Sequence, residues 1–329
     1  MRDDVLAQPH QIGDALWRVE AADVPEREAP GGLMVCGMGG SAVGADLAAA
    51  AVGPRAMRPL RAVSGYAPDP WVGPDTLVLC SSYSGSTEET LSCFEAAGAA
   101  GAPRVALTTG GALAERARDE DVPVIGVPSG MQPRAAVIYM TVAALECAAA
   151  CGAAPSLRAE LEGAADTLAA LAGDGGDSRA IAEALHERLP VVYGAELTAA
   201  PARRWKTQIN ENTKSAAFAS ELPEANHNEI EGWVWAGAHA SAAAVLLSAP
   251  GLHPRIERRL DLTAELVERA GVPVVRAAAR GETPVDHVLS LVMLGDLVSV
   301  EMAELAGVDP TSVETLEEFK RQLGSAAAG

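Results

Sequence analysis

One short segment, residues 208–233, holds most of the chemically distinctive side chains of this chain. All four asparagines of the 329 residues lie in it, at positions 210, 212, 226 and 228, and so do Lys214 and His227. Outside this segment the positive charges are almost all arginines and the small residues mostly alanines, and the whole chain has 22 arginines against three lysines. Carboxylates, lysines and histidines transfer protons, and amides orient a substrate. The segment is therefore the first candidate for a catalytic site.

Glu211 and Lys214 are three residues apart within this segment. On a helix this spacing places both side chains on one face, where they could form a surface ion pair that contributes little. Glu211, however, lies between two asparagines, which are poor helix formers. Polar residues that cost helix stability favour a site, and a carboxylate in a partly enclosed pocket can act as a base near neutral pH.

His227 lies between Asn226 and Asn228 and is followed by Glu229. A histidine among amides can be oriented for proton transfer. Two alternatives stay open at this point, a solvent-exposed loop histidine and a metal ligand. The metal site is the weaker alternative, because the H-x-E pattern supplies two ligands and no second histidine completes the set.

A glycine-rich loop, GMGGSAVGAD at residues 37–46, follows an apolar strand-like run and opens a helical one. Backbone N–H groups at such a helix start attract an anion. Gly37, Gly39 and Ala42 also fit a dinucleotide fingerprint, but the acidic residue expected about 20 residues further on is missing. A glycine turn that serves only packing is the third possibility.

A second loop, SSYSGSTEET, also follows a strand-like run and opens a helix. Ser86 and Glu89 fit a capping box, but a cap needs one hydroxyl. Residues 81–87 carry five besides that of Tyr83, on Ser81, Ser82, Ser84, Ser86 and Thr87. Neighbouring parallel strands place their carboxyl-terminal loops side by side. The two loops together predict a phosphomonoester site built from neutral donors.

Apolar runs alternate with helical patterns along the whole chain, which predicts parallel sheets with helices on both faces. After a Gly- and Asp-rich stretch the pattern restarts at LPVVYGAE. We therefore expect two α/β domains, residues 1–154 and 155–329, joined near residues 155–178. The apolar run at residues 135–154 contains Glu146, and we expect it to be a buried helix rather than a membrane span.

Composition excludes several classes of protein. The net charge of −19 argues against a nucleic-acid partner. Five cysteines without metal-ligand spacing favour a reducing compartment. The acidic start MRDDVLAQPH has no hydrophobic core, so it is not typical of a signal peptide. We expect a cytoplasmic protein with no membrane partner.

GMGGSA and SYSGSTEET resemble the loops of the sugar isomerase (SIS) domain, a phosphosugar-binding α/β fold with a five-stranded parallel sheet. ENTK, GMQPRAAV, ELPEANHNEIEGW and GVDPTSVETLEEFKRQLG extend the resemblance to the bifunctional phosphoglucose/phosphomannose isomerase family, with two such domains. The second loop departs from the usual SIS pattern, which has asparagine where this chain has Ser86.

The resemblance implies the following roles. The catalytic base falls on Glu211, the ring-opening histidine on His227, the lysine that works with it on Lys320, and the arginine that stabilises the enediolate on Arg134. The phosphate site falls on Gly40, Ser41, Ser82, Ser84 and Thr87. Thr311 resembles the small polar residue that leaves room for the mannose epimer.

The resemblance also implies an activity and its partners. The enzyme would interconvert glucose 6-phosphate, mannose 6-phosphate or both with fructose 6-phosphate through a cis-enediol, with no metal and no cofactor. It would be a homodimer whose histidine comes from the neighbouring subunit, which places the active site at the interface. The alternative is a regulator of the same fold that binds sugar phosphates without catalysis. The set Glu211, His227, Lys320 and Arg134 distinguishes the two, because binding alone needs only the hydroxyl loops.

Overall fold

The apolar runs of the first half form one parallel sheet. The computed structural model describes residues 1–174 and 176–326. The strands, in chain order, are β1 Gly32–Gly37, β2 Leu60–Val63, β3 Thr76–Ser81, β4 Arg104–Thr108 and β5 Val124–Gly126. Their spatial order is β2-β1-β3-β4-β5, with all pairs parallel. The glycine-rich loop GMGGSAVGAD, called the glycine loop below, follows β1, and the second loop, SSYSGSTEET, called the hydroxyl loop, follows β3. These two strands are neighbours in the sheet.

A second parallel sheet forms in the other half. Its strands are β6 Leu189–Gly194, β7 Phe218–Glu221, β8 Ala242–Ser248 and β9 Val274–Ala278. Among the described residues this sheet has four strands, in the order β7-β6-β8-β9. The two parallel sheets confirm the predicted α/β class. The sequence pattern predicts neither β2 nor β7 as a strand, because both are four residues long and neither is fully buried.

The helices of the first half are α1 Arg2–Leu6, α2 Gln8–Ala21, α3 Gly40–Val52, α4 Glu88–Ala99, α5 Gly111–Asp119, α6 Val137–Ala150 and α7 Arg158–Asp174. Those of the second half are α8 Gly176–Leu185, α9 Ala199–Thr213, α10 Glu229–His239, α11 Pro254–Arg269, α12 Pro284–Ala306 and α13 Glu314–Ala326. Helices α3 and α9 pack against each other and against their own sheets. Helices α6, α7 and α12 complete the layer that lies between the two sheets.

Strand side chains alternate between the two faces of each sheet, as the period of two requires. In β1, Leu33 and Val35 join the large core between the sheets, whereas Met34 and Cys36 join a smaller cluster under α4 and α5. The large core contains residues from both halves of the chain. The boundary between residues 154 and 155 stays a prediction, and residues 175 and 327–329 of the expected second domain lie outside the described residues.

Helix α6 lies in a segment with the length and apolar composition of a membrane-spanning helix. This segment is Pro133–Ala150, but 78% of it is buried inside the protein. The helix packs against α2 and α3 in the central layer. The prediction of a buried helix is confirmed for α6.

Candidate active site

The glycine loop and the hydroxyl loop lie in contact at the carboxyl edge of the first sheet. A Cβ on Gly37 would lie 2.8 Å from the carbonyl oxygen of Ser81 and 3.1 Å from the Cβ of Ser41. Ser41 lies in the first turn of α3 and is nearly buried. The first turn of α3 and the second loop therefore begin side by side at the carboxyl ends of β1 and β3, and a helix N-terminus favours an anion.

The hydroxyl loop is organised by its own side chains. Ser82 Oγ lies 2.8 Å from Thr87 Oγ1 and accepts a hydrogen bond from the backbone of Gly85. Ser84 Oγ accepts one from the backbone N–H of Ser86. These bonds fix the conformation of the loop from Ser82 to Thr87.

The prediction of a capping box at Ser86 and Glu89 is wrong. Helix α4 begins at Glu88, so that Thr87 is the N-cap residue, and the Thr87 hydroxyl makes no capping bond because it contacts Ser82. Glu88 and Glu89 lie in the first turn, where the helix dipole already favours negative charge. The hydroxyls of Ser84 and Thr87 are therefore not used to cap the helix.

Arg134 lies beside the glycine loop. It belongs to a single 3₁₀ turn, Pro133–Ala136, between β5 and α6. A Cβ on Gly40 would lie 3.4 Å from the Cα of Arg134, so the start of α3 packs directly on this turn. The Arg134 side chain is 5% exposed, and burial lowers its pKa, while the negative charge of Glu211 opposes that effect. A nearly buried cation thus lies next to the predicted phosphate site.

Glu211 faces Arg134 from the other half of the chain. It lies in the last turn of α9, and its Oε2 is 3.4 Å from Arg134 Nη1. Arg134 Nε donates to Asn212 Oδ1 at 2.7 Å, and Nη2 donates to the carbonyl oxygen of Pro310. The Glu211 side chain is 38% exposed, so its carboxylate is accessible to a substrate. The structure brings these two predicted catalytic residues together.

Lys214 ends α9 in the left-handed conformation, with φ of 58°. Its Nζ donates to the backbone carbonyl of Glu211 at 2.7 Å and to that of Asn212 at 3.3 Å. The side chain therefore caps the helix instead of forming the Glu211–Lys214 carboxylate pair that the spacing allowed. Partial burial and the nearby charge of Arg134 lower the pKa of Lys214.

A buried ion pair supports this corner of the site. Arg204 and Asp296 are each 2% exposed, and Arg204 Nη2 lies 3.0 Å from Asp296 Oδ2. Gln8 and Gln208 also donate to the Asp296 carboxylate. The same Nη2 donates to the backbone carbonyl of Arg134 at 2.6 Å. The pair therefore fixes the main chain from which the Arg134 side chain extends.

Thr311 lies in the loop that contacts Arg134. Its backbone N–H and hydroxyl both donate to Asp309, at 2.8 and 2.7 Å. The hydroxyl bond and then the backbone bond hold the pKa of Asp309 below its usual value. Because Pro310 between them accepts a hydrogen bond from Arg134, Thr311 lies close to the predicted catalytic pair, Arg134 and Glu211. Its expected role in epimer specificity stays a prediction.

His227 does not lie beside Glu211 in one chain. Helix α9 runs from the carboxyl end of β6 to the amino end of β7, and Glu211 is near its last residue. His227 ends the 3₁₀ turn Glu224–His227, which follows the carboxyl end of β7. Glu211 therefore lies towards the amino ends of the strands of the second sheet, and His227 towards their carboxyl ends. The His227 side chain is exposed.

Among the described residues, Lys320 makes no hydrogen bond or ion pair with Glu211 or Arg134. It lies on α13, where its side chain is exposed. Leu316, Phe319 and Leu323 on the same helix are 42%, 62% and 48% exposed. Spacings of three and four place these apolar side chains on one face of α13, and that face is largely exposed in this chain.

Reasoning from the sequence missed four residues that support Arg134, namely Arg204, Asp296, Ser299 and Pro310, and it singled out Asn212 without its contact with Arg134. One of them had a readable signal. Asp296 is a single carboxylate within the apolar helical run LVMLGDLVSV, and a charge at such a position is normally paired. Its partner Arg204 is 92 residues away, and no local pattern could identify it.

The chain is similar to isomerases over nearly its whole length. It is 38% identical over 293 residues to the bifunctional phosphoglucose/phosphomannose isomerase of Aquifex aeolicus, covering 89% of this chain and 90% of the relative. It is 34% identical over 330 residues to the enzyme of the same name from Caldicellulosiruptor bescii, covering 97% and 95%. A family model described as the bacterial phospho-glucose isomerase C-terminal SIS domain matches residues 175–323.

Solved structures share the fold at lower identity. A hypothetical protein from Thermus thermophilus superposes with a TM-score of 0.77 at 18% identity, covering 99% of this chain and 90% of that one. A tagatose-6-phosphate ketose/aldose isomerase from Escherichia coli superposes with a TM-score of 0.71 at 18% identity, covering 94% and 95%. With the similarity in sequence, these findings identify the chain as a member of the bifunctional phosphoglucose/phosphomannose isomerase family, built from SIS-type α/β units.

Proposed function

We propose that this protein is an aldose–ketose isomerase that interconverts glucose 6-phosphate, mannose 6-phosphate or both with fructose 6-phosphate. The observation that carries the proposal is the position of Glu211. Its accessible carboxylate lies 3.4 Å from the nearly buried guanidinium of Arg134, and the turn of Arg134 packs on Gly40 of the glycine loop. A base, a fixed cation and an anion cradle are the three parts that this reaction needs.

The phosphate group would bind at the carboxyl edge of the first sheet. The backbone N–H of Gly40 and the hydroxyls of Ser41, Ser82, Ser84 and Thr87 would donate to its oxygens. Neither loop contains lysine or arginine, so recognition would depend on neutral donors and on the N-terminus of α3. Phosphate binding would anchor the sugar with its reacting carbons towards Glu211.

Glu211 would carry the proton between the two reacting carbons. In the direction from aldose to ketose it would take the proton from C2, the electron pair would form the C1–C2 double bond, and the negative charge would develop on the oxygen of C1, which takes up the proton that the C2 hydroxyl loses. The same carboxyl group would then return its proton to C1 as the hydroxyl on C2 becomes a carbonyl. Arg134 would stabilise the negative charge that develops on the enediolate oxygens.

His227 and Lys320 would open the sugar ring by moving protons at O5 and O1. Because His227 and Glu211 lie towards opposite ends of the strands of the second sheet, the histidine would come from the neighbouring subunit of a homodimer. The exposed apolar face of α13 supports such an assembly, since Leu316, Phe319 and Leu323 would be covered in it. The active site would then lie at the interface.

Rotation about the C2–C3 bond of the enediol would expose either face of C2 to Glu211, so that both epimers could form. Thr311 would leave room for this rotation beside the Asp309–Thr311 turn. We also retain a cytoplasmic location as a proposal, which five buried cysteines with free thiols support.

A coupled assay of the purified protein tests the function. Glucose 6-phosphate and mannose 6-phosphate would each be supplied, and the appearance of fructose 6-phosphate measured. Glucosamine 6-phosphate would be tested in parallel as a related sugar that the proposal does not include. Turnover of at least one of the first two sugars is expected, and binding without turnover would favour the regulator instead.

The proposed reaction uses no metal, and a chelator provides an inexpensive check. We expect EDTA to leave the rate unchanged because Arg134 supplies the positive charge at the enediolate. Inhibition by EDTA that zinc reverses would point to a different mechanism.

A further inference from the structure

Four acceptors surround the Arg134 guanidinium, and one of them, Gln132 Oε1, accepts from Nη1 at 3.3 Å. Nε donates to Asn212 Oδ1 at 2.7 Å and Nη2 to the carbonyl of Pro310, whereas Nη1 lies 3.4 Å from Glu211 Oε2. The distance between Nε and Asn212 Oδ1 is typical of a charge-assisted hydrogen bond, and the contact with Glu211 is longer than that. The guanidinium is thus held mainly by neutral partners, and its longer contacts are those of Nη1, the atom nearest Glu211.

Asn212 is itself held in one orientation. It is 1% exposed, and its Nδ2 donates to Ser299 Oγ at 2.8 Å. Ser299 Oγ donates to the backbone carbonyl of Asp296 at 2.7 Å and can therefore only accept from Asn212. The amide nitrogen must face Ser299, which leaves the amide oxygen facing Arg134. A serine on α12 thereby determines which atom Arg134 meets.

We propose that Asn212 is a positioning residue for the isomerisation, which holds the Arg134 guanidinium in the plane that receives the enediolate oxygens. This inference rests on the proposed function. Without the amide oxygen, Nε would lack its acceptor at a nearly buried position, and the guanidinium could turn towards the carboxylate of Glu211. The cation would still be present, but it would no longer be directed at the developing charge.

The experiment compares Asn212→Ala with the wild type. We expect kcat to fall about 10–100-fold because a small displacement of a catalytic group costs that much, while KM for fructose 6-phosphate changes less than about threefold. Affinity is measured by calorimetry for a hydroxamate that mimics the enediolate and for sorbitol 6-phosphate. We expect the first to weaken by about the same factor as kcat and the second to stay unchanged. Asn212→Asp, which keeps an acceptor oxygen, is expected to recover most of the loss.

Asn210→Ala is the matched control. Asn210 lies on the same helix, and its amide donates to the carbonyl of Ser215 without contacting Arg134. A loss of stability without any loss of kcat is expected from it. If Asn212→Ala does not fold, Asn212→Ser removes the amide oxygen with less disturbance, and the same measurements apply.

Several outcomes would overturn the inference. One is an equal loss of affinity for both ligands in Asn212→Ala. The others are a kcat of Asn212→Ala like that of the wild type, or a kcat of Asn212→Asp no higher than that of Asn212→Ala. A wild-type protein that converts none of the sugars would overturn the proposed function, and the inference with it. Wild-type turnover together with an unaffected Asn212→Ala would overturn the inference alone.

Discussion

Arg134 Nη1 lies 3.4 Å from Glu211 Oε2, although 77 residues of sequence separate the two. Arg134 follows the last strand of the first sheet, and Glu211 lies in the last turn of the helix that follows the first strand of the second sheet. The contact between α3 and α9 brings these two chain segments together. The proposed catalytic pair therefore depends on how the two halves pack and belongs to neither half alone.

Glu211→Gln tests the base directly. The amide keeps the size of the side chain but cannot accept a proton from carbon, so we expect kcat to fall by about 10³-fold or more. Binding of fructose 6-phosphate should stay nearly intact because the phosphate loops are unchanged. Stopped assays measure the rate and calorimetry the affinity. A variant that turns over as the wild type does would remove Glu211 as the base.

Much of the fold could be predicted from the sequence because apolar strands and glycine-rich loops are local signals. At β1 and at β3, the apolar run and the polar or glycine-rich loop that follows it lie within about ten residues of sequence. β7 could not be identified in that way, since its four residues are partly or fully exposed at the edge of a sheet. Its place follows from pairing with β6, which is a long-range contact.

The site was predictable where one residue type is rare in this chain. Asn212 stood out as one of four asparagines, but its contact with Arg134 required coordinates. The Arg204–Asp296 pair lies between residues 92 positions apart, and arginine is too common here to mark a site. Side chains that orient other side chains leave little local pattern, which is why the supporting residues were missed.

Thr87→Val tests the phosphate site. The change removes a hydroxyl that contacts Ser82 and makes no capping bond, so α4 should keep its stability. We expect KM for every accepted sugar phosphate to rise about tenfold, consistent with the loss of one hydrogen bond to a charged group. The ratio of rates for glucose and mannose 6-phosphate should not change. A change in that ratio with constant KM values would place Thr87 near the sugar carbons instead.

Asp296→Asn tests the buried support. The amide leaves Arg204 without a charged partner at a position 2% exposed, and we expect a loss of about 3–5 kcal/mol in the free energy of unfolding. Replacing both residues together, Arg204→Met with Asp296→Leu, should cost less because no unpaired charge stays buried. Urea unfolding measures both variants. A double variant less stable than Asp296→Asn would contradict the argument.

His227→Ala tests whether two chains share each active site. We expect the variant to lose activity on cyclic sugars and to keep more of it on a 5-deoxy ketose phosphate, which lacks the ring oxygen. Glu211→Gln and His227→Ala should each be nearly inactive on glucose 6-phosphate. If the histidine comes from the neighbouring subunit, co-expression of the two variants gives mixed dimers in which one site has both wild-type residues. Random pairing would then restore about a quarter of the wild-type activity. A histidine acting within its own chain would restore none, because each site would still lack one of the two groups.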